Sequence, residues 1–304
     1  LIESGALDRL AVLAGRSWSV QPLPGGLTNV NVRVRSDDGL EPALDLVVRC
    51  SSNDPGLLGI DRDAEHHNTR AAAEAGVGAP VLEFRPDLGM LVIGFLPGHA
   101  LTDEDLTDPA VLTRAAAGVR MLHAGPRFSG DFDMFTRQAT YLETIRSRGF
   151  RLPAGYDGHA EDWDRVRRAL AVRPRPTVPC NNDLLAANFI DDGERVRLID
   201  YEYSGNNDAC FELGNTATEC GFNDEMTTAW TEAYFGAPTA ADQARVRLQA
   251  LCSCYGWSLW GFIQAASSDL DFDFWSWGLE RFEKAERTFA DPSFPRLLEE
   301  VAGG

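Results

Sequence analysis

Apolar and polar residues alternate over Val30-Asn31-Val32-Arg33-Val34 and again over Leu44-Asp45-Leu46-Val47-Val48. A period of two sends successive side chains to opposite faces of a strand. Both segments therefore predict strands, joined across the turn signal Ser36-Asp37-Asp38-Gly39. From about Gly59 to Ala75 the spacing turns helical, and Gly76, Gly78 and Pro80 end it. Two shorter strands, Val81 to Phe84 and Met90 to Phe95, flank the turn Pro86-Asp87-Leu88-Gly89. Leu96-Pro97-Gly98 then breaks the pattern and marks a hinge. Beyond it the chain reads as mostly helix. Thr107 to His123 opens on Asp108-Pro109, an N-cap followed by a first-turn proline. The Ala-, Leu-, Glu-, Arg- and Trp-rich C-terminal part suits long packed helices, with one short β interruption between about 187 and 200. The pattern predicts an α+β chain, with a small mixed β/α lobe over residues 1–97 and a larger, mainly helical lobe over 98–304.

Composition narrows what such a chain does. At 304 residues it is long enough for two lobes with separate cores, and 44% hydrophobic with 24% charged residues excludes a disordered or fibrous chain. Its longest apolar runs, such as Met90 to Leu96, fall short of the roughly 20 residues that cross a bilayer. Leu1 to Leu10 carries acids and shows no secretory pattern, so a cytoplasmic location is expected. The net charge of −18 repels phosphate backbones and anionic headgroups, which argues against nucleic acid or membrane as a partner. The six cysteines show no C-x-x-C spacing and the five histidines are scattered; free thiols are expected, and no structural zinc.

The chemistry concentrates in Pro179-Cys180-Asn181-Asn182-Asp183-Leu184-Leu185-Ala186-Ala187-Asn188, followed by Leu198-Ile199-Asp200-Tyr201-Glu202-Tyr203. Phosphoryl transfer to an alcohol needs a carboxylate within reach of the attacking hydroxyl and hard oxygen ligands for magnesium on the phosphates. Asp183 and Asn188 lie five apart, the D-x-x-x-x-N spacing of kinase catalytic loops, with Asp as base and Asn on metal. Asp200, at the end of a short apolar strand, would be the second metal ligand.

These segments resemble the choline/ethanolamine kinases within the wider aminoglycoside-phosphotransferase, protein-kinase-like superfamily. The family's loop begins with His where this chain has Asn181, and Phe211-Glu212-Leu213-Gly214-Asn215 resembles its next helix with Glu212 where Asp is usual. The resemblance runs from about residue 20 to 285 and implies a kinase-like two-lobe fold that transfers phosphate from ATP, with Mg²⁺, to the hydroxyl of choline or ethanolamine. It also implies that Gly25, Gly26, Thr28 and Asn29 form a phosphate-covering loop; read alone, a Gly-Gly pair between strands is a turn. Arg49 stands where kinases place a lysine on the phosphates, with Glu65 as its ion-pair partner and Arg62 as a competitor for that carboxylate. By analogy, adenine lies against Phe95 and Leu96.

Trp257 and Trp260 are helical neighbours, and Trp277 lies four residues before Arg281-Phe282, which resembles the choline kinases' aromatic positions. The resemblance implies a head-group cage of Trp257, Trp260, Trp277 and Tyr203, with Glu219 as its carboxylate. Without it, tryptophans at that spacing would read as core, as Trp275 still does. The acids Asp269, Asp271 and Asp273 keep open an aminoglycoside as substrate, beside thiamine or another amino alcohol, and Asn181 keeps open a non-catalytic quaternary-ammonium binder. His99 and His123 read as structural, and His66 and His67 as solvent-facing.

Overall fold

The alternating segments form the first structural unit of the computed structural model, which describes residues 5–23, 29–51 and 57–303. Strands β1 (Trp18–Leu23), β2 (Asn29–Ser36) and β3 (Asp45–Ser51) are followed by helix α1 (Arg62–Glu74) and strands β4 (Val81–Arg85) and β5 (Met90–Gly94). They pair antiparallel in the order β1-β2-β3-β5-β4. In β3 the pleat sends Leu46 and Val48 to a core with Val32, Val34, Met90 and Val92, closed by Leu7, Leu10 and Leu13 from two short N-terminal turns. Arg49 projects from the opposite face, where α1 packs. Asp61 caps α1 by accepting from the N–H groups of Asp63 and Ala64, which fixes where the helix begins. Glu65, Asn68, Thr69 and Ala72 then share its buried side.

The hinge is held by backbone. A Cβ on Gly98 would lie 2.6 Å from the Asp191 carbonyl oxygen, and φ there is +134°, so glycine is required on both counts. Past it, β6 (His99–Ala100) leads into helices α2 (Pro109–His123), α3 (Met134–Arg148) and α4 (Ala160–Val172). Asp108 caps α2 through Ala110 N, as the Asp-Pro pair predicts. The β interruption is longer than the sequence suggests. It comprises β7 (Val178–Cys180), β8 (Phe189–Asp191), β9 (Val196–Leu198) and β10 (Gly205–Asn207). β7 pairs with β10, and β8 lies between β6 and β9. β8 and β9 fall inside the predicted interruption, whereas β7 and β10 lie outside it and pair with each other across a long separation that a local period does not report.

Helices α5 (Ala209–Glu219), α6 (Asp224–Phe235), α7 (Ala240–Ser267), α8 (Phe274–Ala290) and α9 (Phe294–Gly303) complete the chain. α7 is the axis of this lobe. It starts at a capping box of Thr239 and Asp242 and is buried almost continuously from Ala244 to Gln264. A helix apolar on every side must have neighbours on every side, and α3, α5, α8 and α9 surround it. All six cysteines are free thiols.

The α5–α7 approach depends on Gly214, where a Cβ would lie 2.5 Å from Ala250 N and 2.7 Å from Val246 O. Backbone cannot yield as a flexible side chain does. Gly214→Ala is therefore expected to cost about 1–3 kcal/mol, read as a fall of several degrees in the thermal midpoint. An unchanged midpoint would show that the helices separate freely.

Candidate active site

The segment from β7 to β10 places two loops side by side. The first, after β7, carries Asn181, Asn182 and Asp183; the second, after β9, carries Asp200 and Glu202. Asn182 and Asp200 are the two non-glycine residues with positive φ among the described residues, both at 67°. Such backbone persists only where surrounding bonds fix it, and those bonds are present. Asn182 Nδ2 donates to the carbonyls of Cys180, Tyr203 and Gly205, while its Oδ1 accepts from Asn207. Asn181 Nδ2 donates to the carbonyls of Ile199 (3.1 Å) and Asp200 (2.6 Å), tying one loop to the other.

Glu212, on the first turn of α5, accepts both loop N–H groups, from Asn181 at 2.5 Å and Asn182 at 2.9 Å. His123 stands behind it, with Nε2 3.6 Å from Glu212 and Nδ1 2.7 Å from Tyr234 Oη. The structural role expected for His123 is therefore met by contacts inside the lobe, not by the helix dipole alone. His99 lies exposed on β6. His67 is exposed, but His66 is not free in solvent: its ring stacks on Phe84 at 4.3 Å.

Asp183 and Asn188 are linked through backbone, because Asn188 Nδ2 donates to the Asp183 carbonyl at 2.8 Å. This fixes the amide so that Oδ1 remains the group able to meet a hard cation. Asp183's carboxyl is held well above the usual carboxylate range, chiefly by burial and then by the negative charges of Glu219, Asp200 and Glu202, with Arg281 opposing. Asn188 and Asp200 supply only oxygen donors, a set that fits magnesium.

Arg49 meets these loops from the other lobe. Its guanidinium lies 3.0 Å from Glu65, 2.6 Å from Asp200 and 3.0 Å from Glu202. Burial works against its charge, but Asp200, Glu65 and Glu202 more than offset that and hold its pKa above the ordinary value. Arg62 does not displace Arg49 from Glu65; it takes the second oxygen at 2.7 Å and reaches Glu202 at 3.3 Å. Asn29 opens β2 and donates to Glu202 at 2.8 Å. Gly25, Gly26 and Thr28 lie outside the described residues. Phe95 and Leu96 follow β5; Arg33 covers one face of the Phe95 ring at 3.4 Å, and the Phe95 N–H goes to Asp45 O.

A cavity of about 560 Å³ collects Asp183, Asn188, Asp200, Tyr203, Glu219, Trp257, Trp260 and Trp277 in one wall system. The Trp260 indole donates to Tyr203 Oη at 2.8 Å, and Trp257 donates to Asn215 Oδ1 at 3.1 Å. Tyr203 and Trp257 meet edge to face at 5.0 Å, and Trp260 and Trp277 lie 5.1 Å apart. Trp275 packs outside, against Phe262 and Arg151. Asp269, Asp271 and Asp273 do not line this cavity; Asp273 caps α8. A cavity of about 640 Å³ opens beside Arg49 and Glu65 and contains neither Asp183 nor a tryptophan.

Sequence reasoning assigned no role to Glu202, Arg281 or Asn215. Arg281 was legible as the i+4 helical neighbour of Trp277, whereas Glu202 lies in the turn after Asp200, where no period marks it. Asn215 has no signal apart from the fold.

Two lobes with carboxylates and an amide converging between them define a kinase-like phosphotransferase. A family model described as choline/ethanolamine kinase matches residues 20–232. Ethanolamine kinase 1 of Mus musculus is 27% identical over 307 residues, covering 88% of this chain and 83% of that protein. Ethanolamine kinase 2 of Homo sapiens is 36% identical over 287 residues, covering 85% and 73%. The crystal structure of a choline/ethanolamine kinase family protein from Mesorhizobium loti superposes with a TM-score of 0.85 at 33% identity, covering 99% of this chain and 98% of that one. The chain belongs to the choline/ethanolamine kinase family, whose members are ATP-using phosphotransferases with an alcohol acceptor. No helix among the described residues is long and apolar enough to cross a membrane.

The Asn181 clasp yields a test. Asn181→Ala removes both carbonyl contacts and is expected to lower stability by about 1–3 kcal/mol. By loosening Asp200 it should also slow ADP release by roughly 10–100-fold. Full turnover in the destabilised variant would show that Asp200 is positioned without it.

Proposed function

We propose that this protein transfers the γ-phosphoryl group of ATP to the hydroxyl of choline or ethanolamine, giving the phosphorylated amino alcohol and ADP. The observation that carries the reading is the single cavity shared by Asp183, Asn188, Asp200 and the three tryptophans. In this reading Asp183 orients the substrate hydroxyl and accepts its proton. The hydroxyl oxygen bonds to the γ-phosphorus while the bond to the β-phosphate oxygen breaks, and ADP leaves. Asn188 and Asp200 would hold Mg²⁺, which when bound supplies positive charge to the phosphates. Arg49, with Glu65 behind it, and the Gly25-Gly26-Leu27-Thr28-Asn29 segment hold the triphosphate, and Phe95 and Leu96 border the adenine. Trp257, Trp260, Trp277 and Tyr203 surround the cationic head, whose attraction to ring faces is worth about 0.5–2 kcal/mol per ring. Glu219 adds negative charge, and the free thiols suit a cytoplasmic location. Asp269, Asp271 and Asp273, the acids that kept an aminoglycoside open, lie away from the cavity, and its three tryptophans suit a compact ammonium head.

ADP release should require choline or ethanolamine and stop with a chelator, and an aminoglycoside should not replace them. Turnover of the aminoglycoside alone would reverse the choice.

Asp183 gives a paired prediction. Its folded-state pKa lies above the unfolded value, so the folded protein keeps the proton longer. Stability from this residue is therefore full below the unfolded pKa and lost as pH rises through the folded one. Above the folded-state pKa the ionised carboxylate is a cost, so there Asp183→Asn should raise the thermal midpoint while reducing turnover by about 10²–10⁴-fold. A variant that loses turnover and stability together would contradict this.

The acid limb of kcat/KM should lie above the usual carboxylate range. Glu219→Gln, by removing a like charge, should shift it to lower pH. An unmoved limb would separate the two groups.

A further inference from the structure

A further cavity, of about 570 Å³, lies among α5, α6, α7, α8 and α9 and shares no residue with the two described above. Three of those helices also wall the catalytic cavity: Thr218 precedes Glu219, Cys254 stands three before Trp257, and Lys284 three after Arg281. The chain has 46 acids against 28 bases, and Lys284 is its one lysine. Lys284 and Arg287 from α8 and Arg247 from α7 line this cavity together. Glu280 and Glu283 stand four residues before Lys284 and Arg287, the order that favours pairing along a helix. Neither pair forms: among the described residues the side chains of Lys284 and Arg287 make no hydrogen bond or ion pair. Arg247 donates to Thr228 Oγ1 at 3.1 Å and meets no carboxylate. Lys284 reaches inward, since its charge bears on the buried Cys254 thiol, which burial pushes up to about 11 against that charge.

We infer that this cavity binds a small phosphomonoester with an apolar body, at a site separate from the one that transfers the phosphoryl group. The inference goes beyond the amino-alcohol reading and does not depend on it. The acids on the same wall are engaged elsewhere. Glu300 pairs with Arg296 at 2.8 Å, Asp291 accepts from Ser293 N and Oγ, and Asp224 sits in the first turn of α6, where the helix dipole holds it. The threonine hydroxyls are committed too, Thr218 donating to Asn215 O, Thr227 to Asn223 O and Thr288 to Lys284 O. The free donors are therefore the N–H groups of three cations, which suit the several oxygens of a phosphate better than a neutral ligand. Lys284 supplies a point charge and each arginine a planar fork. The volume falls within the range of about 300–1,000 Å³ typical of small-molecule sites and exceeds what phosphate alone fills. Phe222, Leu251, Phe294 and Leu297 give the remaining wall an apolar surface for the body of the ligand.

Calorimetric titration of the full chain with phenyl phosphate, inorganic phosphate and phenol tests this. Phenyl phosphate should bind more tightly than inorganic phosphate, and phenol, which has the ring without the anion, should not bind. Lys284→Met, which keeps an unbranched stem, should weaken phenyl phosphate by at least about tenfold. Arg287 is exposed, so Arg287→Gln serves if the first variant does not fold, and it should weaken binding by about two- to fivefold. Neither residue lines the catalytic cavity, so basal ADP release should be unchanged in both. No binding of phenyl phosphate, or binding that survives both substitutions unchanged, would overturn the inference. Phenol or inorganic phosphate binding as tightly as phenyl phosphate would overturn the assigned ligand class. Loss of basal ADP release in a folded variant would overturn the separation of the two sites.

Discussion

The structure depends on one buried guanidinium. Arg49 projects from the sheet into the junction of the lobes and is met there by Glu65 from α1 and by Asp200 and Glu202 from the loop after β9. A charge taken out of water is tolerable only when its partners are close and well oriented. Here the partners come from different lobes, so the electrostatic requirement is also a geometric one. Satisfying Arg49 sets the distance between sheet and loop, and that distance decides where Asp200 stands relative to Asp183 and Asn188. Arg62 and Asn29 extend the same network to both sides of Glu202. Asn68 adds a neutral tie from α1 to Ser204 and Ser129.

The two departures from the family's usual catalytic segment meet at one backbone group. Asn181 stands where histidine is expected and Glu212 where aspartate is expected, and the Glu212 carboxylate accepts from the Asn181 backbone N–H. The amide of Asn181 is short enough to reach two successive carbonyls, which anchors the Asp200 turn in its left-handed conformation. The longer Glu212 side chain accepts two consecutive backbone N–H groups and still lies near His123. The loop is thus fixed by an amide on one side and a carboxylate on the other.

Much of this was legible in the chain, for reasons that differ by residue. Arg49 follows from a strand whose period of two puts Leu46 and Val48 on one face and a cation on the other. Asp108-Pro109 announces α2 because capping chemistry is local. Asp183, Asn188 and Asp200 were recognisable from spacing and from resemblance, and the fold brings their side chains to one cavity. What spacing does not carry is partnership across long sequence separation. Nothing near Glu219 announces that Arg281, some sixty residues on, neutralises it, and nothing near Tyr203 announces the Trp260 indole. Strands β7 and β10 escaped for a related reason: they exist as a pair across a long separation, which neither shows alone.

The burial of α7 has a consequence for how such a pocket can evolve. Trp257 and Trp260 belong to the same helix that fills the centre of the lobe, between Ala244 and Gln264. Substrate recognition and folding therefore draw on one set of atoms, and the wall they form has no slack of its own. New substrate ranges are reached more cheaply from the rim, through Thr102, Asp103 or Arg281, than from the tryptophans. Divergence among proteins built this way should accordingly be recorded at the mouth of the cavity, while its floor is inherited nearly intact.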